Sequence, residues 1–199
     1  MKGELDFLVA GVGGQGTVLA SDILAEVGAA AGYEVKKSDV LGLAVRGGSV
    51  LSHVRWGNEV ASPVGRLGGM DFLVAFEPLE ALRGAAFLTP GGVALINDQP
   101  VPPVSVSSGT ATYPSWEEIR RVLSGAAREV HVVRASEAAR RLGVVRAGNV
   151  VLLGAFSTLL EVPQDAWESV VRARVPAKYA EANLNAFRVG RGLMDRGSP

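Results

Sequence analysis

Two glycine-bearing segments carry the residue types and spacing that chemistry needs. The first is Gly11-Val12-Gly13-Gly14-Gln15-Gly16, which contains the spacing G-x-G-x-x-G. Glycines there let the backbone turn tightly and approach a ligand. The N–H groups and dipole of a following helix then favour an anion. Gln15 stands inside this loop, where its amide could cap the helix or reach a ligand. The second segment is Arg46-Gly47-Gly48-Ser49. A guanidinium between paired glycines suits a carboxylate or phosphate, because its fork donates two parallel hydrogen bonds.

Other chemistries find no residues. The chain has no cysteine, so it holds no disulfide, thiolate nucleophile, Cys-ligated zinc or Cys-bound iron–sulfur cluster by itself. His53 and His131 are the two histidines, far apart and outside any metal-ligand spacing. His53 falls inside an expected strand and reads as a packed residue. No Ser-His-Asp order, carboxylate pair, P-loop or metal cluster stands out, so the site has no assigned catalytic or metal residue.

The elements that must position the two loops follow from periodicity. Leu5–Ala10 reads as a first strand, Thr17–Ala30 as a helix with an apolar stripe, and Tyr33–Ser38 as the next strand. Residues 39–48 read as a loop or a single helical turn. Strands are expected over Ser49–Trp56, then through the turn Gly57-Asn58 into a return strand Glu59–Ala61, and over Asp71–Phe76. A helix over Pro78–Phe87 begins with proline at its first turn, a break falls at Gly91-Gly92, and Val93–Asn97 is a further strand. Ser115 and Glu118 have capping-box spacing before a helix that runs to about Ala127. Glu129–Arg134 is a strand, Ser136 caps a short helix to Leu142, and the remainder is helical.

Strands alternating with helices predict an α/β fold: a Rossmann-like, doubly wound, largely parallel sheet with a helical C-terminal extension. The chain is expected to be one domain, 1–199, with an α/β core over 1–134 and the helical extension over 135–199. Loops at the carboxyl ends of strands line the ligand crevice of such sheets, so the loop 39–48 can face the first glycine loop. Three readings of that glycine loop stand side by side: a dinucleotide site, a site for another anion or a partner surface, or glycines kept only for tight strand–helix packing. A dinucleotide reading would use Lys36 and Lys37 for the 2′-phosphate of NADP.

Composition narrows the class further. Of 199 residues, 48% are apolar and 20% charged, against about 25% charged in an average domain. That excludes disorder. Twenty basic groups balance twenty acidic ones, which argues against nucleic acid as a partner. The balance hides an asymmetry, since residues 1–119 carry 7 basic and 13 acidic groups and residues 120–199 carry 13 and 7. No targeting segment is visible and no apolar run approaches the ~20 residues of a membrane span, so a cytoplasmic protein is expected.

Taken together, Gly11–Gly16, the segment Ala44–Ser49 running into Val50–Trp56, and Phe72–Arg83 (FLVAFEPLEALR) resemble the gamma-type domain of the 2-oxoacid:ferredoxin oxidoreductases. Within that family the likeness is to the beta subunits of the indolepyruvate enzymes. Asn149–Ser157 and Lys178–Arg188 also look like family segments, so the resemblance covers nearly the whole chain. It implies that a 2-oxoacid, coenzyme A and oxidised ferredoxin give acyl-CoA, carbon dioxide and reduced ferredoxin. It implies thiamine diphosphate, Mg²⁺ and [4Fe-4S] clusters on a large alpha subunit, with this chain as the cofactor-free partner. The missing cysteines agree with that division, as does the lack of a GDG segment with a following asparagine pair. Under the resemblance Gly11, Gly13, Gly14, Gln15, Gly16, Arg46, Gly47, Gly48 and Ser49 become ligand-binding or subunit-interface residues. A free-standing NADP-binding oxidoreductase and a non-catalytic scaffold are the alternatives.

Overall fold

The computed structural model describes residues 3–42 and 47–194. Six strands form one sheet: β1 (Leu5–Val12), β2 (Glu34–Leu41), β3 (Ser49–Gly57), β4 (Met70–Ala75), β5 (Leu88–Asn97) and β6 (Glu129–Val133). Their order across the sheet is β2-β3-β1-β4-β5-β6. β1, β4, β5 and β6 pair in parallel, whereas β3 runs antiparallel to both of its neighbours, β1 and β2. Five strands therefore point one way and β3 points the other. The expected α/β, largely parallel architecture holds, with one reversed strand inserted between the first two.

That insertion removes the return strand expected over Glu59–Ala61. Both edges of β3 are already occupied, by β1 and by β2, so a hairpin partner has nothing to pair with. The chain instead makes bends through 58–61 and buries Val60. β5 also runs through Gly91-Gly92 rather than starting after it, with a register irregularity against β4.

Helices cover both faces. On one face α2 (Pro78–Gly84) and α4 (Trp116–Ala126) pack against Leu8, Leu73 and Ile96. α4 starts with the expected reciprocal cap, Ser115 to the Glu118 N–H and Glu118 to the Ser115 N–H. A single turn, α3 (Val104–Ser107), lies in the connection before it. The other face carries α1 (Thr17–Ala30) and the helical C-terminal part: α5 (Ala135–Arg141), α6 (Gly148–Ser157), α7 (Gln164–Arg174) and α8 (Ala180–Met194). α5 begins at Ala135 after Arg134, so Ser136 lies within its first turn and is not its cap.

α6 is the helix that fixes this face. Nine of its ten residues are buried, so it has no polar side to turn to water. Phe156 on α6 meets Phe7 and Phe72 edge-on, at centroid separations of 5.9 and 5.4 Å, while Phe7 also packs on Trp56 at 4.7 Å. One aromatic cluster thus joins β1, β3, β4 and α6. Behind α6, α8 crosses at backbone contact: a Cβ on Gly154 would sit 2.0 Å from the Phe187 carbonyl oxygen, and one on Gly190 would sit 2.0 Å from that of Val151.

Because the obstacle at both glycines is backbone, only separation of the helices can relieve an added methyl group. Gly190→Ala and Gly154→Ala are each expected to cost about 1–3 kcal/mol. Urea unfolding of the two variants checks this, and an unchanged midpoint for both would show that the helices do not need this approach.

Candidate functional site

β1 ends where the sheet changes direction: the chain leaves it for α1 and β2 on one side, while β4, its other neighbour, leads to α2 and β5. Crevices of α/β sheets form at such switch points. Gly11, buried in β1, pairs with Val50, Val12 ends the strand opposite Ser49, and Gly13 follows. Gly14 and Gly16 have φ of +102° and +81°, a region closed to most side-chain-bearing residues, and Gly16 is the N-cap of α1 without any side-chain cap. The glycines are thus needed to turn a strand straight into a helix.

The second loop lies against the first. The Gly13 N–H donates to the Gly48 carbonyl at 2.8 Å, and the Gly47 N–H donates to the Gly13 carbonyl at 3.4 Å. The β1–β3 ladder therefore continues past the strands and zips Gly47-Gly48 to the glycine loop. Arg46 lies outside the described residues. Ser49 points the other way: its hydroxyl donates to Glu80 Oε2 at 2.5 Å, and Arg83 Nη1 holds Glu80 Oε1 at 2.6 Å. Glu80 is 2% exposed. Its neighbour Glu77 accepts from the Glu80 N–H, the Val101 N–H and the Tyr113 hydroxyl. Burial and that carboxylate push the Tyr113 phenol well above its ordinary range. Both carboxylates are committed to holding backbone and hydroxyl donors, so neither is free as a general base.

Amides stitch the rim of the crevice. Gln15 Oε1 accepts from the Val12 N–H at 2.7 Å, and Gln15 Nε2 donates to the Phe76 carbonyl at 3.2 Å. The side chain caps no helix; it ties the glycine loop to the end of β4. Asn97 Nδ2 donates to the same Phe76 carbonyl at 3.1 Å and to Ser136 Oγ at 2.9 Å, while Asn97 Oδ1 accepts from the Ser136 N–H. Asn149 Nδ2 reaches the Gly16 carbonyl at 3.4 Å, and a Cβ on Gly16 would lie 2.5 Å from that amide. Sequence reading missed Asn97 and Asn149. Their signal was an asparagine at a strand's carboxyl end and another in the first turn of an otherwise apolar helix.

Between these groups lies a cleft of about 360 Å³, bounded by Gly14, Gln15, Asn97, Ser136 and the start of α6. Among the described residues its only charged lining groups are Arg140 and Arg146. Arg140 also donates to Gln99 Oε1 at 2.5 Å. A concave site with amide and hydroxyl donors, two guanidinium groups and, among the described residues, no lining carboxylate is chemically suited to an anion.

The NADP reading loses its residues here. Lys37 Nζ lies between Asp22 Oδ1 at 2.6 Å and Asp39 Oδ2 at 2.7 Å, and Lys36 pairs with Glu34 at 3.4 Å. β3 also separates β2 from β1, so the end of the second strand is two strand spacings, about 10 Å, from the glycine loop. Among the described residues no three His, Asp or Glu side chains converge as metal ligands. His53 is buried against Phe87, as a packed residue should be, and burial lowers its pKa below 6.5.

Two outcomes follow. Ser49→Ala leaves a 2%-exposed carboxylate short of a donor and is expected to cost about 1–3 kcal/mol in urea unfolding. His53 stays neutral in the folded chain at a pH where the unfolded chain binds a proton. Stability contributed by the neutral form is therefore present above pH 6.5 and falls as the pH drops from there toward the lower folded pKa. Unfolding midpoints of the wild type should decline across that window, and those of His53→Leu should decline less; parallel curves would disprove the assignment.

Comparison with known proteins places this geometry. Residues 6–193 match the family described as pyruvate ferredoxin/flavodoxin oxidoreductase. The indolepyruvate oxidoreductase subunit IorB of Pyrococcus horikoshii is 38% identical over 190 residues, covering 94% of each chain. The protein of the same name from Archaeoglobus fulgidus is 38% identical over 198 residues, covering 98% of each. The gamma subunit of a keto/oxoacid ferredoxin oxidoreductase from Geobacter sulfurreducens has a similar structure, with a TM-score of 0.70, 27% identity, and coverage of 98% of this chain and 100% of that one. The match from strand β1 to helix α8 is end to end: this chain belongs to the pyruvate ferredoxin/flavodoxin oxidoreductase family.

Proposed function

We propose that this chain is the small subunit of a 2-oxoacid:ferredoxin oxidoreductase acting on indolepyruvate and related aryl pyruvates in the cytoplasm. The observation that carries the reading is the likeness to the indolepyruvate oxidoreductase subunits over 94% or more of both chains. The reaction converts an aryl 2-oxoacid, coenzyme A and two oxidised ferredoxins to aryl acyl-CoA, carbon dioxide, a proton and two reduced ferredoxins. Thiamine diphosphate supplies the carbanion chemistry and [4Fe-4S] clusters carry single electrons.

The residues of this chain do not fit those groups. It has no cysteine to ligate a cluster. Its buried carboxylates, Glu77 and Glu80, are occupied by internal donors. No step through thiamine or a cluster is therefore assigned to this chain, and both belong in the proposal to a large alpha subunit. What the chain offers is the cationic crevice. Arg140, Arg146 and the first turn of α6 suit the phosphates of coenzyme A, and the zipped glycine loops form the wall beside it.

Co-expression with a large alpha subunit of the family, followed by anaerobic assay with indolepyruvate, coenzyme A and ferredoxin, tests the reading. A stable complex with activity absent from either part is expected. The double variant Arg140→Ala/Arg146→Ala should raise KM for coenzyme A by roughly 10- to 100-fold with a smaller change in kcat, since a hydrogen bond to a charged group is worth about 1.5–3 kcal/mol. Oxidation of indolepyruvate by the isolated chain, no complex with the large subunit, or NADPH binding below about 10 μM by calorimetry would each overturn it.

A further inference from the structure

β2 is an edge strand eight residues long, and among the described residues no strand pairs with its outer side. Long open edges template pairing with another chain and are normally blunted by charged side chains, proline or a bulge. β2 has no proline and pairs with β3 without a bulge, and its four charged residues are two of each sign, so they repel a partner only in some registers. Its sequence is Glu34-Val35-Lys36-Lys37-Ser38-Asp39-Val40-Leu41, with mixed charges and apolar residues at both ends. Val40 and Leu41 are 53% and 60% exposed.

The pairing with β3 fixes which residues share a face. Val35, Lys37, Asp39 and Leu41 lie opposite Trp56, Val54, Ser52 and Val50 on the α1 side, and Lys36, Ser38 and Val40 lie on the other. An antiparallel partner must match faces as well as charges. For a second copy of this strand, a two-fold axis normal to the sheet passes through one residue, and only a few registers exist. With the axis at residue 37, Lys37 meets Lys37 of the second copy and Val35 meets Asp39. With the axis at residue 39, Asp39 meets Asp39 and Lys37 meets Leu41. With the axis at Ser38, Lys37 meets Asp39, Val35 meets Leu41, and the stem of Lys36 covers Val40, each twice by symmetry. Like charges across a strand pair repel and opposite charges attract, so the first two registers are disfavoured and the third is favoured on both faces.

We propose that β2 is a self-association edge, on which a second copy of this chain docks antiparallel about Ser38. The two six-stranded sheets then join into one. The internal ion pairs survive this. Lys37 already holds Asp22 and Asp39, and Asp39 also accepts from Ser52 at 2.5 Å. Docking adds the partner's Asp39 and Lys37 to that cluster with opposite signs, so no unpaired charge is buried. Val40 and Leu41 lose their exposure. An isologous contact of this kind closes on itself and gives a dimer rather than a fibre. The proposal does not depend on the reaction assigned above.

The absence of native cysteine makes the test clean. At the axis, the two Ser38 Cα atoms would lie about 4.5–5.5 Å apart, within disulfide reach. Two residues away on the same face, the Lys36 positions would lie about 14 Å apart, beyond it. In the full chain, Ser38→Cys should form a disulfide-linked dimer under mild oxidation at least ~10-fold faster than Lys36→Cys, the separation at residue 36 being about twice the ~7 Å limit for a bridge. Sedimentation of the wild type should show a concentration-dependent dimer that Leu41→Lys shifts to monomer. Equal cross-linking of the two cysteine variants, or a wild type that stays monomeric at millimolar concentration, overturns the proposal. So does a Ser38→Cys cross-link abolished by saturating large subunit, which would assign the edge to that subunit instead.

Discussion

The antiparallel pairing of β1 with β3 is the constraint from which the rest of the arrangement follows. It runs over eight residues, from Leu5 with Trp56 to Val12 with Ser49, and continues as two hydrogen bonds between the glycine loops. Because β3 must enter beside the carboxyl end of β1, the preceding loop is delivered to the glycine turn. Because β3 occupies that flank, β2 is displaced outward, which removes a second strand from the position where a dinucleotide ribose would be read. The same displacement leaves β2 as an open edge. One reversed strand therefore sets the site, disqualifies one ligand class and exposes one surface.

The charge asymmetry of the chain has a structural meaning in this frame. Acidic groups of the first half are largely consumed inside the fold: Glu77 and Glu80 hold the end of β4 to Ser49 and Val101, and Asp22 holds Lys37 and Arg174. Basic groups of the second half are partly paired, as in Arg188 with Glu168, whose carboxyl this contact holds down at about 2. Others, Arg140 and Arg146, stand at the crevice, where no carboxylate lies among the described lining residues. Internal complementarity and a cationic site are thus the same feature. The acids are spent on architecture, and a remainder of the arginines is left for a ligand.

What was legible in the sequence depended on how local the signal was. The Ser115–Glu118 cap, Pro78 at a first turn, the tight glycine turn after β1 and the first and fourth strands are decided within a few residues and formed as read, whereas β2 and β5 run longer than their local signals suggested. Most failures are cases where a partner outside the local window decided. Glu59–Ala61 looked like a hairpin return until both edges of β3 proved occupied. Ser136 looked like a cap, but its N–H and hydroxyl bind Asn97, 39 residues away. Lys36 and Lys37 looked available for a phosphate, and carboxylates from α1 and the same strand neutralise them. Gly47 and Gly48 lie against the first glycine loop, as a loop at that end of the sheet can, but Ser49 turns away to Glu80, and both anchors, Gly13 and Glu80, could be read only from the folded chain.

Gln15 shows why a motif's spacing and its chemistry are separate questions. In G-x-G-x-x-G the glycines serve the tight turn and the close approach of backbone to a ligand, and a polar amide between them invites a binding role. Here both ends of the amide are used internally, on the Val12 N–H and the Phe76 carbonyl. The Phe76 carbonyl in turn takes a second bond from Asn97, which holds the first turn of α5. A rigid chain of amides thus runs from the first glycine loop across two strands to the helix that carries Arg140. Buried polar networks of this kind are stable only when every member is satisfied. Its consequence for function is geometric: the first glycine loop and the start of the helix that carries Arg140 are tied into one hydrogen-bonded frame, so both line the same crevice.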